Sequence, residues 1–149
     1  MKPTRTWVLI ADGARARLLE NTGPGHGLEP VEGMTFDGDH SATHDLVTKR
    51  EGRGHNSVGA GRYAVASHSD PHRELKVKFA QALADVLAGG LDRKAYDRLV
   101  IAASPVTLGD LRAATSAGVR ARVTGEIAHD LTRIPNREVA GHLTSVLTA

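Results

Sequence analysis

Five of the eight histidines (His40, His44, His55, His68 and His72) fall within 33 residues, with Asp37, Asp39, Asp45 and Asp70 among them. Imidazole and carboxylate together suit zinc and other divalent ions. His40 and His44 have the i, i+4 spacing that sets two side chains on one helical face, as do His68 and His72. Neither pair lies in a convincing helical pattern, and Pro71 interrupts the second. No Glu follows the first His, so the zinc-peptidase pattern is not met. A metal-dependent hydrolase using His40, His44, His68 and His72 therefore stands only as an alternative to solvated loop histidines.

The same region contains "KREGRGHNSVGAGRYA", residues 49 to 64. Its four glycines alternate with Lys49, Arg50, Arg53 and Arg62, and almost nothing in it could join a core. Glycine-rich backbone offers N–H groups to phosphate, and guanidinium groups bind phosphate oxygens bidentately. The nucleotide signatures are absent: no Gly-Lys-Ser/Thr occurs, and Gly52, Gly54, Gly59 and Gly61 lack the dinucleotide spacing. No nucleotide or other cofactor is expected. Ser104 is not set in Gly-x-Ser-x-Gly, so its expected role is in the turn ahead of Pro105. The chain has two Phe, two Tyr and one Trp. Of these, Tyr63 beside Arg62 is the one placed to stack on a base, so nucleic-acid backbone is the expected target.

Charge is unevenly distributed behind a formal total of +2. Residues 18–48 hold six carboxylates and no Lys or Arg, whereas residues 49–78 hold seven basic residues. Arg73, Lys76 and Lys78 would extend the basic surface beyond the glycine segment. Cysteine is absent, which excludes disulfides, thiolate nucleophiles and Cys-based zinc sites. No apolar run approaches the ~20 residues needed to cross a bilayer. "WVLIA" is shorter than the roughly 7–15 residues of a signal-peptide core, so a cytoplasmic location without membrane contact is predicted.

These groups must be positioned by the elements around them. "WVLIADGARARLLE" predicts a hairpin turning at Asp12-Gly13, with Ala14, Ala16 and Leu18 inward and Arg15 and Arg17 on a basic face. "LEPVEGMTF" predicts a third strand, and residues 37–69 a long functional or disordered connection. Asp70 caps a predicted helix opening at Pro71, with Leu75, Phe79, Ala82, Leu83, Val86 and Leu87 as its apolar stripe and Gly89-Gly90 as its end. "RLVIAAS" predicts a central strand, "TLGDLRAAT" a short helix capped by Thr107, Val123 to Ile127 a fifth strand, and Pro135 the start of a C-terminal helix. Helices between strands require crossovers, so the later strands should be parallel. The expected fold is one three-layer α/β domain over residues 1–149. Its mixed sheet has about five strands, an antiparallel hairpin joined to parallel strands, with helices on both faces.

"TWVLIADGARARLLE", "KREGRGHNS" and "YDRLVIAASPVTLGDL", in this order, resemble the middle domain of archaeo-eukaryotic class-1 release factors and Pelota. The closer resemblance is to a bacterial branch of that superfamily, the host-attachment proteins, where "DPHRE", "LGDLR" and "HDLTRIP" have counterparts. It runs from Trp7 to about Leu147. In the release factors the matching loop ends in Gly-Arg-Gly-Gly-Gln-Ser and promotes hydrolysis of peptidyl-tRNA. Here the run is Gly52-Arg53-Gly54-His55-Asn56-Ser57. His55 stands at the second glycine and adds a Cβ; Asn56 stands at the glutamine and is one methylene shorter. A misplacement of ~1 Å can cost about 10²-fold in rate.

The resemblance thus implies an RNA-binding protein acting on tRNA or the ribosome, in hibernation, rescue or surveillance, without efficient peptidyl-tRNA hydrolysis. Lys49, Arg50, Arg53, Gly54, His55, Asn56, Arg62, Tyr63, Arg73, Lys76 and Lys78 would form the RNA surface. His55 as general base with Asn56 orienting a water is the remaining catalytic alternative. The family label implies a further one: an interaction protein required, directly or indirectly, for attachment to host cells.

Overall fold

A computed structural model describes residues 3–38 and 70–149. Five strands, β1 (Thr6–Ala11), β2 (Arg15–Asn21), β3 (Glu29–Asp37), β4 (Arg98–Ala103) and β5 (Val123–Ile127), form one sheet in the order β3-β2-β1-β4-β5. β1 pairs antiparallel with β2 and parallel with β4; β2–β3 is antiparallel and β4–β5 parallel. The expected mixed α/β sheet, with its hairpin and parallel strands, is what forms.

The period-two alternation of β1 divides the core. Trp7, Leu9 and Ala11 face one side with Ala16, Leu18, Leu99, Ile101 and Ala103. Val8 and Ile10 face the other with Leu19, Val100 and Ala102. The first side is covered by α1 (Pro71–Asp92), α2 (Pro105–Ala114) and α3 (Ala117–Arg120). The second is covered by α4 (Asn136–Val139) and the 3₁₀ turn Ala140–His142, with Leu131, Val139 and Leu143 buried against the strands.

Several local expectations are corrected. Gly13 does not have a positive φ; the turn closes by an Asp12 N–H to Arg15 O bond of 2.9 Å, and the glycine is needed for another reason given below. Arg17 does not lie on a solvent face. Its Nε donates to Asn136 Oδ1 (2.7 Å), one terminal nitrogen to Thr132 O (2.9 Å) and the other to Ile134 O. Burial lowers its pKa from the ordinary arginine value.

α1 opens as expected, with Asp70 Oδ1 accepting from His72 N–H at 2.9 Å and Pro71 in the first turn. Its buried stripe is Phe79, Ala80, Leu83, Ala84, Leu87 and Gly90, while Ala82 is exposed. Gly89-Gly90 does not end it. Gly90 is inside the helix because a Cβ there would lie 2.7 Å from Trp7 Cζ3 and 3.1 Å from Tyr96 Cε1. The helix stops two residues later, at Asp92; beyond it Lys94 takes φ 55° and Ala95 N–H bonds back to Gly90 O at 2.8 Å.

α2 is capped by position at Ser104 and not Thr107, because Pro105 is preset for the first helical residue and the chain turns helical directly from β4. The Ser104 hydroxyl lies 3.0 Å from Thr107 Oγ1. No continuous helix follows Pro135. Gly141 and the run Thr144-Ser145-Val146 have low helical propensity, so four helical residues give way to the 3₁₀ turn. Val139, Leu143, Val146 and Leu147 nevertheless pack toward the second core, as their spacing predicts.

Candidate functional site

The predicted RNA-contacting residues Lys49, Arg50, Arg53, Gly54, His55, Asn56, Arg62 and Tyr63 lie outside the described residues, as do His40, His44 and His68. What is described is the framework on either side of them. β3 runs in the direction of β1, so its last residue, Asp37, reaches the edge where β1 ends, pairing there with Arg15. Gly38 N–H donates to Ala14 O at 2.7 Å, and its Cα packs so closely on the Phe79 ring that a Cβ could not be accommodated.

The hairpin turn is rigid at this edge. Asp12 Oδ1 accepts from the N–H groups of Ala14 (2.7 Å) and Arg15 (2.6 Å), an Asx-type turn. Asp12 Oδ2 is 3.4 Å from the Thr132 hydroxyl, which ties the turn to the segment after β5. Gly13 lies under the stem of Lys76, and a Cβ would come 2.7 Å from Lys76 Cγ. α1 is therefore docked on the hairpin through Lys76 against Gly13 and through Phe79 against Gly38.

Three of the predicted RNA-contacting residues are described. Arg73 forms a bidentate pair with Asp110 of α2, with one bond of 2.6 Å. Hydrogen bonding to Asp110 raises its pKa above the ordinary value. The Arg73 guanidinium is thus already held by a neighbour, and Asp110 is the residue that sequence reasoning missed: "LGDL" reads as a helix, and nothing in it announces a partner 37 positions away. Lys76 and Lys78 are exposed and make no ion pair with the described residues.

His72 is exposed, and its backbone N–H is used in the helix cap. Among the described residues, no three His, Cys, Asp or Glu side chains gather where a metal ion could be held. Ser104, next after β4, has the Thr107 hydroxyl as its side-chain partner among the described residues. No described helix is long and apolar enough to cross a membrane. Among the described residues, this edge therefore offers two ammonium groups without an ion pair, Lys76 and Lys78, on a hydrogen-bonded support suited to anion contact.

A family model described as "Protein required for attachment to host cells" matches residues 7–143. No curated protein matches the chain significantly.

Proposed function

The chain belongs to the family of proteins required for attachment to host cells, and on that premise we propose that it works by binding RNA, of the tRNA or ribosome class, without efficient peptidyl-tRNA hydrolysis. Membership in itself supports a role in host attachment. In this reading that role is indirect and follows from control of translation. The observation that carries the proposal is the composition of residues 49–62, where Lys49, Arg50, Arg53 and Arg62 alternate with four glycines. Basic side chains neutralise phosphates, and glycine allows backbone to approach them closely.

The anchors are consistent with such a role. Gly38, bonded to Ala14 at the hairpin, and Asp70, capping the helix that carries exposed Lys76 and Lys78, are the described residues next to the basic segment in the sequence. His55-Asn56 in place of Gly-Gln argues for binding over hydrolysis. Ribosome co-sedimentation across a salt series tests the reading. Wild type should pellet with ribosomes at low salt and be released steeply as salt rises, and Arg53→Ala/His55→Ala should pellet less. Absence of wild-type co-sedimentation at low salt overturns it.

The family description favours a second reading, a surface interaction protein that takes part in attachment directly. Cell fractionation separates the two, since substantial protein outside the cytoplasm would favour direct attachment.

A further inference from the structure

The opposite edge of the sheet, where β1 and β4 begin, carries a polar row with unsatisfied members. The register sets Asn21, Thr6 and Arg98 side by side across β2, β1 and β4. Side chains in direct register point to one face, and this is the face of Val8 and Ile10. The next row inward, Leu19–Val8–Val100, is completely buried. Among the described residues, Asn21 alone of the three has side-chain hydrogen bonds, and Arg98 is exposed. The Asn21 carboxamide is fully engaged with Gly23 and Gly27 backbone, at 2.8–3.0 Å.

Thr6 is only 3% exposed, yet its hydroxyl has no hydrogen-bond partner among the described residues. No polar side-chain atom among them is sealed from solvent without a partner. The hydroxyl therefore opens into the cavity that Thr6 lines, whose volume is about 420 Å³. Arg98, an exposed residue, lines the same cavity, and its guanidinium has neither an ion pair nor a hydrogen bond among the described residues. Asp97, next to it, instead accepts from Arg5 N–H at 2.8 Å.

The far wall is the chain after the 3₁₀ turn, contributing Thr144 and Ser145, and β5 adds Thr124. That wall is fixed by Ala149 O, which accepts from Gly25 N–H (3.0 Å) and Gly27 N–H (3.4 Å). Among the described residues, no Asp, Glu or aromatic side chain lines the cavity.

We propose that this cavity is a binding site for a small polyhydroxylated oxyanion, a sugar acid or sugar phosphate. Arg98 presents a planar fork to a carboxylate or phosphate, with no lining carboxylate to compete for it. Threonine and serine hydroxyls both donate and accept, which matches the hydroxyl groups of a sugar. The absence of an aromatic wall leaves no platform for a base, so a nucleotide is disfavoured. The volume falls at the small end of ligand pockets, in keeping with a single sugar unit. The site lies at the other edge of the sheet from Gly38, the last residue described after β3, and does not depend on RNA binding.

The test is titration of the full chain with glucuronate, glucose 6-phosphate, inorganic phosphate and glucose, followed by amide NMR shifts and calorimetry. Binding of one sugar anion, with shifts centred on Thr6, Asn21, Arg98 and residues 144–148, is expected; glucuronate against glucose 6-phosphate decides between carboxylate and phosphate. Exposed Arg98→Met should weaken that binding about tenfold, the loss of one charge-assisted contact. Thr6→Val, nearly isosteric, should weaken it by roughly threefold if its hydroxyl contributes a modest bond. The proposal is overturned if neither sugar anion binds, if glucose or inorganic phosphate binds as tightly, or if Arg98→Met leaves affinity unchanged.

Discussion

The two faces of the sheet are covered by different means. On one, a 22-residue helix lays Phe79, Ala80, Leu83, Ala84, Leu87 and Gly90 along Trp7, Leu9, Leu99 and Ile101. On the other, a four-residue helix, a 3₁₀ turn and irregular chain bring only Leu131, Val139 and Leu143 to full burial. A long amphipathic helix supplies its own backbone hydrogen bonds and needs only an apolar surface to pack on. A short-element cover cannot do so, and here it is held by Arg17, whose guanidinium bonds Thr132 O, Ile134 O and Asn136. The difference teaches where the molecule has room for ligand. The helix-covered face keeps a smaller cavity of about 270 Å³, beside Ile101, Arg112 and Arg120, while the looser cover leaves the cavity of about 420 Å³ at Thr6 and Arg98.

Core truncations should break the comparison first if it is wrong. Leu83→Ala and Leu143→Ala both remove fully buried side chains, with an expected cost of about 2–5 kcal/mol each. Leu83→Ala should be the more costly in urea unfolding, because the irregular chain around Leu143 can relax into the vacated space. The reverse order would deny that the two covers differ in rigidity.

Arg17→Met should cost about 1–3 kcal/mol, through carbonyls and an amide left without their donor. Hydrogen exchange would sharpen the comparison. Faster exchange is expected in residues 131–147, with α1 unchanged.

The adjacent glycines of α1 probe the tight side. Gly90→Ala should destabilise by about 1–3 kcal/mol, since the new Cβ meets the Trp7 and Tyr96 rings. Gly89→Ala should instead stabilise by about 0.5–1 kcal/mol, because the nearest atom to its Cβ is the mobile Arg93 guanidinium at 3.6 Å. Thermal unfolding of the two variants checks both signs.

A further modest effect concerns Tyr96, which packs on Trp7 with ring centroids 4.7 Å apart and donates its O–H to Leu87 O at 2.8 Å. Burial, helped by Asp92 and opposed by Arg122, pushes its pKa up to about 12. The unfolded chain releases this proton near the model-peptide value of about 10, so the contribution to stability is intact below that pH. It is lost as pH rises from there through the folded value of about 12. Tyr96→Phe should cost about 0.5–1.5 kcal/mol at neutral pH and flatten that alkaline slope in urea titrations.

Much of the architecture was legible where local chemistry and tertiary environment agree. The alternation in "WVLIADGARARLL", the Asp70-Pro71 start and the apolar run 98–104 each point to one structure, and each formed. The errors share a cause. Gly89-Gly90 read as a stop because propensity sees only flexibility; the glycine at position 90 inside α1 is dictated by Trp7, far away in sequence. Arg17 read as solvated because charge usually is, and its partners arrive from residues 132–136. The spacing of Val139, Leu143 and Val146 was sufficient to assign burial but not helix, since a 3₁₀ turn can present the same residues. The basic segment was legible as composition alone, while Asp110 and the row Asn21–Thr6–Arg98 could be found only once helices and strands were in register.

The sequence by itself determined the strand and helix nuclei, the family, and the alternating pattern that splits the core into two faces, because these depend on period, caps and near neighbours. Tertiary structure alone decided that Arg73 is held by Asp110, that Gly90 is a contact point, and that Thr6 and Arg98 share a cavity. Those are pairings between residues tens of positions apart, and no local free energy records them until the chain has closed.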